Sequence, residues 1–423
     1  MRLVRRSILT HHVYEYWGSG NTLEELKASM VAKSQHLWDK YEECSFKIHI
    51  DSYQGRRSSA SRMQTINFLS FLGFKGPVKM SGADQEFKLF EQWAFDAMVS
   101  GAEHPLRYHF GRQLGGASRE IINKYDLKKR RYINTTSMDS ELALITANMA
   151  LAAPGKLFYD PFVGTGSFPI ACAEFGAITW GSDIDGRAAR GEYNKLQGKG
   201  KSKAEMSLKG NFEQYGLLSG LGDMFTADLT NSPIRRHPIG AGGAGGRRRL
   251  FDGIICDPPY GVREGLRVLG CRDAEKRPWI VEAGKERYKE PDFVAPKKPY
   301  SFHAMLDDIL AFAVETLVDR GRLSFWMPTA NDQEQEIAVP THPCLEIVSV
   351  CTQPFNKWSR RLINYRRLPD DTVNEDDLAA WKVKAERRHE GVTADELNPF
   401  RKGYFKKFVT EEETKQQPQV DGK

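Results

Sequence analysis

The chain has 423 residues, enough for two or three domains with cores of their own, and its 40% hydrophobic and 27% charged residues are ordinary for a globular protein. No apolar run approaches the roughly 20 residues of a membrane helix, and Met1–Arg6 is not followed by a signal-like core, so a soluble intracellular chain with no membrane role is expected. The balance of 61 Lys and Arg against 55 Asp and Glu gives a mild basic excess of +6, compatible with nucleic acid, and the six cysteines form no C-x-x-C pair, so free thiols and no zinc site are expected.

Arg5 to Trp17 reads as a helix-to-strand passage. Thr22 to Trp38 reads as an amphipathic helix, with Thr22 and Glu25 as a capping box. Residues 1–44 do not make a domain by themselves. From Ser45 the pattern changes: Phe46 to Ile50 alternates as a half-buried strand, Ser61 to Leu72 reads as a helix, and Glu86 to Trp93 and Arg107 to Gln113 as further strands. This is a small α+β module. Its basic residues Lys47, Arg56, Arg57, Arg62, Lys75, Arg107, Arg112 and Arg119 are interleaved with aromatics, as an RNA-binding surface requires, although solvated surface charge explains them equally well. Lys128, Lys129, Arg130 and Arg131 follow as a cluster that either grips phosphate or is a solvated linker. Thr135, Thr136 and Ser137 then supply an N-cap for a helix from Glu141 to Leu151.

Leu157 to Asp160 is an apolar strand that runs through Phe162 into a turn with Gly164 and Gly166, and Phe168 to Phe175 is the helix behind it. Strand, glycine turn and helix open a nucleotide-type fold, yet the spacing fits neither a dinucleotide fingerprint nor a P-loop. Asp160 places a carboxylate at the strand end, and the two glycines let a ligand approach the backbone. Ile178 to Ser182 is the next strand and ends at Asp183-Ile184-Asp185, where an acid can take both hydroxyls of a ribose. Asp228 ends a third apolar run, placed for an adenine amino group. Each acid alone could be a helix N-cap; three in register argue for a site. Gly198 to Lys209 and the Gly/Arg-rich stretch 240–249 read as flexible insertions.

Phe251 to Cys256 is a buried strand ended by Asp257-Pro258-Pro259-Tyr260, because two prolines remove donors and fix φ. The lone pair of an exocyclic amine on a nucleobase is delocalised into the ring. Bonds from its N–H groups to the Asp257 carboxylate and the Pro258 carbonyl would orient it, and Tyr260 would stack on the base. A turn that merely caps a strand stays open at this point. Residues 261–299 read as a lid or substrate loop, Phe302 to Leu317 as a helix, and Gly321 to Pro328 as a further strand. Glu346 to Cys351 and Leu362 to Arg366 read as a closing hairpin. Between them Phe355 to Arg361, with Lys357, Trp358, Arg360 and Arg361, reads as an aromatic and basic loop suited to single-stranded nucleotides. Residues 369–423 are charged and partly disordered by composition.

Taken in order, Asp160 to Gly166, Ser182 to Asp185, Asp228 and Asp257 to Tyr260 resemble the S-adenosylmethionine-dependent amino-methyltransferases. Asp126-Leu127-Lys128-Lys129-Arg130, Asp257 to Glu264, Trp326 to Asp332 and Phe355 to Leu362 resemble, more closely, the catalytic subunits of eukaryotic tRNA guanosine N2-methyltransferases that act at position 10. The resemblance spans nearly the whole chain. It implies an α/β fold, a Rossmann-like class I sheet, mostly parallel with a closing antiparallel hairpin, preceded by a small α+β THUMP RNA-binding domain. The expected division is 1–44 as a remnant of an N-terminal domain, 45–115 as THUMP, 116–135 as a basic linker, 136–368 as the methyltransferase domain and 369–423 as an extension. Asp160, Phe162, Gly164, Gly166, Asp183, Asp185 and Asp228 would bind S-adenosylmethionine; Asp257, Pro258, Pro259 and Tyr260 would be catalytic; Lys128, Lys129, Arg130, Lys357, Trp358, Arg360 and Arg361 would contact RNA. The implied partners are tRNA and a small zinc-binding activator subunit in a heterodimer, and the implied compartment is the cytoplasm. An adenine N6-methyltransferase and a non-catalytic RNA-binding scaffold are the alternatives, since Asp-Pro-Pro-Tyr serves several amine acceptors.

Overall fold

A computed structural model describes residues 2–134, 136–186, 207–237, 249–262, 266–270, 281–282, 284–290, 293, 295–331, 336–356, 358–386, 393, 396–398 and 400–401. Lys357, the Gly/Arg-rich stretch up to residue 248, most of the 198–209 insertion, much of 261–299 and the tail beyond 401 lie outside the described residues. The chain divides into two compact units, Met1–Ile121 and Ile122–Lys423.

In the first unit β1 (His12–Gly20), β2 (Phe46–Asp51), β3 (Gln85–Gln92) and β4 (Arg107–Gly116) form one sheet in the order β1-β4-β3-β2, with β2 and β3 parallel and the other pairs antiparallel. The helix Leu23–Trp38 lays Leu26, Met30 and Trp38 onto it, over Trp17, Phe87 and Phe110. Thr22 caps this helix through the Glu25 N–H at 3.1 Å, and the Glu25 carboxylate turns back to the Asn21 N–H at 2.8 Å, one residue earlier than a capping box places it. The break expected between residues 44 and 45 is absent, because β1 pairs along its length with β4. A strand pairing of that sequence separation leaves no local signal. Of the basic residues that would suit an RNA surface, Arg57 pairs with the buried Glu91 at 2.8 Å and Arg112 with Glu15 at 2.9 Å, whereas Lys75 pairs with Glu42 at 2.8 Å and stays exposed.

The second unit holds β5 (Leu157–Asp160), β6 (Ile178–Asp183), β7 (Leu221–Thr226), β8 (Phe251–Cys256), β9 (Leu317–Ala330), β10 (Leu345–Pro354) and β11 (Trp358–Arg367). They make one sheet in the order β10-β11-β9-β8-β5-β6-β7. The five strands from β9 to β7 are parallel, and β11 and β10 close the sheet antiparallel. This is the expected class I order. The helix Phe302–Thr316 covers one face, burying Phe302, Leu306, Ile309, Leu310 and Phe312 against Tyr159, Phe251 and Phe325. Helix Ser140–Met149 takes its N-cap from Asp139, not from the Thr135 to Ser137 run; Ser137 instead bonds the Thr165 hydroxyl in the glycine turn at 2.7 Å. From β5 the chain winds outward through β6 and β7, then returns to place β8 on the other side of β5. The crevice at the carboxyl ends of β5 and β8 is therefore the switch point where open sheets receive ligands.

Candidate active site at the sheet switch point

Asp160 is the last residue of β5 and Asp257 follows the last residue of β8, so adjacent parallel strands deliver both carboxylates to one crevice. Asp160 is buried and accepts the Phe162 N–H at 2.9 Å. Burial, with Asp183 and Asp257 nearby, pushes its carboxyl well above the usual range. The turn after it passes through left-handed glycines, Gly164 at φ +46° and Gly166 at φ +83°. A Cβ on Gly164 would find nothing nearer than the Phe162 carbonyl at 3.9 Å, so the space over this turn is open. The Gly164 N–H donates to Asp183 at 3.0 Å, and the Asp185 N–H donates to the same side chain at 2.9 Å. Desolvation raises the Asp183 carboxyl despite these bonds. Of the two acids that end β6, Asp183 is the one tied to the glycine turn.

Asp228 carries local bonds that its sequence position does not show. Its carboxylate accepts the Thr230 N–H at 3.1 Å, the Thr230 hydroxyl at 2.9 Å and the Leu269 N–H at 2.8 Å, so it caps a short 3₁₀ turn and ties down Arg267–Leu269. It still lines a cleft whose walls include Phe162, Ile184, Leu266 and Met305, an apolar slot of the kind that takes a planar heterocycle.

The Asp257 carboxyl is raised to about 6 by burial, with Tyr260 and Arg360 pulling it back down. Its Oδ1 is buried and receives no hydrogen bond of good geometry from a described residue, although the Tyr260 hydroxyl and the Arg360 guanidinium both face the carboxylate. A buried carboxylate oxygen left unbonded is costly unless a ligand completes it. Pro258 is buried and Pro259 exposed. The Tyr260 ring meets Trp358 edge-on at 6.3 Å, and Trp358 stacks with Phe355 at 4.5 Å, which sets an aromatic face next to the carboxylate.

Only residues 355–357 connect β10 and β11; Trp358, Arg360 and Arg361 belong to β11 itself. Arg360 lies over the Trp326 ring at 4.9 Å, donates to Gln353 at 2.6 Å and faces Asp257 and Tyr260, so its cation serves the crevice. Arg361 pairs with Glu336 and bonds the Ile337 carbonyl at 3.2 Å. Lys128 and Lys129 are exposed, but Arg130 is a correction: it is buried and donates to Ser167 at 2.8 Å, at the start of the helix behind the glycine turn. Sequence reasoning missed Asn211, which is fully buried and bonds the Thr165 and Tyr132 carbonyls at 3.1 and 2.8 Å. It also missed Asn398 and Arg401, which reach the carbonyls of Tyr260 and Val262.

Residues 1–119 match the family model described as the Tmrp11 THUMP N-terminal domain. The chain is 41% identical over 368 residues to the tRNA (guanine(10)-N(2))-methyltransferase of Saccharomyces cerevisiae, covering 86% of this chain and 80% of that one. The chain belongs to the tRNA (guanine(10)-N(2))-methyltransferase family. The Schizosaccharomyces pombe member is 38% identical over 369 residues, covering 87% and 71% of the two chains, and the Homo sapiens member TRMT11 is 33% identical over 379, covering 86% and 76%. Within this tRNA (guanine(10)-N(2))-methyltransferase family fold, the basic run at 128–131 has two parts with different work. Replacing Arg130 with methionine is expected to cost the folded state about 2 kcal/mol in urea unfolding, since it removes the buried charged donor to the Ser167 hydroxyl, which keeps only its own bond to the Met138 carbonyl at 3.0 Å, and to leave the salt dependence of tRNA binding unchanged. Replacing Lys128 with alanine is expected to leave stability alone and to flatten the logarithmic salt slope by about one unit if that side chain meets a phosphate.

Proposed function

We propose that this chain transfers a methyl group from S-adenosylmethionine to the exocyclic N2 of guanosine 10 in tRNA. The observation that carries the reading is the unbonded Asp257 Oδ1, buried at the switch point between an aromatic face and the glycine cradle. The relatives named for this reaction support it.

S-adenosylmethionine supplies an electrophilic methyl on a sulfonium. Three carboxyls, Asp160, Asp183 and Asp257, surround the crevice, each raised chiefly by desolvation, and a positively charged ligand among them would favour their ionised forms. The open backbone at Gly164 would receive its amino-acid part, Asp183 its ribose hydroxyls, and the slot beside Phe162 and Leu266 its adenine. Asp228 would close that slot through its backbone-tied carboxylate. On the acceptor side, the Asp257 carboxylate and the Pro258 carbonyl would each take one N–H of the guanine amine. That fixes the nitrogen in line with the methyl, and positioning of this kind accounts for much of the catalysis. Asp257 then holds the proton the amine sheds. Trp358 and Phe355 would face the flipped base together with Tyr260.

The small zinc-binding activator subunit and the cytoplasmic setting implied by the sequence resemblance belong to this proposal. Label from S-adenosylmethionine should enter unmodified tRNA when the chain is co-expressed with that subunit. Digestion should yield N2-methylguanosine. Recovery of N6-methyladenosine instead would make the chain an adenine methyltransferase, and cofactor binding without transfer would make it a scaffold. The pH profile has a defined sign. The Asp257 carboxyl is raised, so its working, ionised form is complete above about 6 and is lost as pH falls through that value. Single-turnover rates are expected to fall about tenfold per pH unit on the acid side and to level above neutrality.

A further inference from the structure

The Asp-Pro-Pro-Tyr tetrad leaves β8 with its first end fixed by the sheet. Its second end is fixed by residues that come long after the last strand of the fold. Asn398 is 3% exposed, and its amide Nδ2 donates to the Tyr260 carbonyl at 2.8 Å. Its Oδ1 accepts the Arg401 N–H at 3.3 Å, and the Arg401 guanidinium donates to the Val262 carbonyl at 2.7 Å. Phe400 is buried and meets Trp358 edge-on at 6.0 Å. The segment is itself anchored, because the Leu397 carbonyl accepts the N–H of Phe302, the first residue of the core helix, at 2.8 Å. Thr393 and Glu396 cap each other, at 3.2 and 3.0 Å.

Gly261 shows how close this approach is. Its φ is +65°, and a Cβ there would lie 2.8 Å from the Asn398 amide nitrogen and 2.9 Å from Leu266. Pro258 and Pro259 carry no N–H, so the tetrad cannot be held by donors of its own in that stretch. The placement of its two acceptors, the Asp257 carboxylate and the Pro258 carbonyl, therefore depends on what holds Tyr260.

We infer that Asn398 is a positioning residue for methyl transfer, acting through the Tyr260 carbonyl to hold the Asp-Pro-Pro-Tyr acceptors in line. The inference rests on the function proposed above. It gives the charged C-terminal extension a role in the chemistry, although that extension lies outside the seven-stranded sheet.

The test uses the full chain purified with its co-expressed activator subunit, and the variants Asn398→Ala and Asn398→Asp. The second is isosteric and keeps the acceptor for Arg401 while replacing the donor. The expected result is a fall in kcat on the order of 10-fold or more in both, with the aspartate the more severe because it turns a carboxylate toward a carbonyl. KM for tRNA and the Kd for S-adenosylmethionine should stay near those of the wild type in both, as should the melting temperature of Asn398→Ala, while Asn398→Asp, which buries a carboxylate, melts lower and is assayed well below its own melting temperature. Unchanged kcat in both variants, with an active wild type, overturns the positioning role alone. Loss of cofactor affinity in either variant, or of thermal stability in Asn398→Ala, in step with kcat also overturns it, since the contact is then structural support. A wild type that transfers no methyl group overturns both this role and the proposed function.

Discussion

Replacing Asp257 with asparagine is expected to lower methyl transfer by about 10³-fold or more while S-adenosylmethionine affinity stays within about threefold. Asparagine has the same shape, so the apolar surroundings and the neighbouring glycine turn are undisturbed. What it loses is the charge. The unbonded Oδ1 can no longer act as a strong acceptor for the amine or take its proton. The same variant should make the ligand-free protein more stable at pH 7.5. The folded-state carboxyl is raised from 3.8 to about 6, so the folded state binds the proton more tightly than the unfolded chain. The penalty is absent below the unfolded value, grows as pH rises, and is complete above about 6; it amounts to at most about 3 kcal/mol. Thermal melts of both proteins at pH 5 and pH 7.5 check this: the gain should be larger at the higher pH. An active variant, or an equal gain at both pH values, contradicts the assignment.

Replacing Asp183 with alanine is expected to weaken S-adenosylmethionine binding by about 100-fold, equivalent to about 2.7 kcal/mol. Two backbone donors, the N–H groups of Gly164 and Asp185, end on this carboxylate. Its loss frees the left-handed Gly164 turn and removes the charged acceptor proposed for the ribose hydroxyls, each such bond being worth about 1.5 to 3 kcal/mol. Titration calorimetry on the full chain, co-expressed with the proposed activator subunit, measures it. A change below fivefold would mean that the ribose is held elsewhere. Asp185, which presents its backbone to Asp183, should tolerate alanine with a far smaller loss.

What could be read from the sequence was what local chemistry dictates. Two prolines end β8 directly after Asp257, and positive φ at Gly164 and Gly166 turns β5 into its helix. Apolar runs of strand length gave the seven strands of the second sheet in outline. What could not be read depends on partners distant in the chain. Arg130 looked like a surface cation because nothing local says that Ser167, 37 residues on, buries it. Asp228 looked free to meet adenine because Leu269, 41 residues on, was not visibly its donor. Residues 1–44 looked detached because β1 finds its partner in β4, at the far end of the unit. The composition of the C-terminal extension suggested disorder, yet Asn398 reaches back 138 residues to Tyr260. Charge and composition report solvent exposure on average; they do not report the few polar groups that a folded neighbour claims.

The central claim is that the Asp257 carboxylate and the Pro258 carbonyl grip the exocyclic amine of one guanine. It is tested most directly by comparing two transcripts of the same tRNA, one with guanosine and one with inosine at position 10, for label uptake from S-adenosylmethionine by the chain co-expressed with the proposed activator subunit. Inosine keeps the purine shape and lacks only the N2 amine. Near-stoichiometric methylation of the guanosine transcript and background labelling of the inosine transcript is the expected result. Equal labelling of the two would place the accepting atom elsewhere and contradict the account.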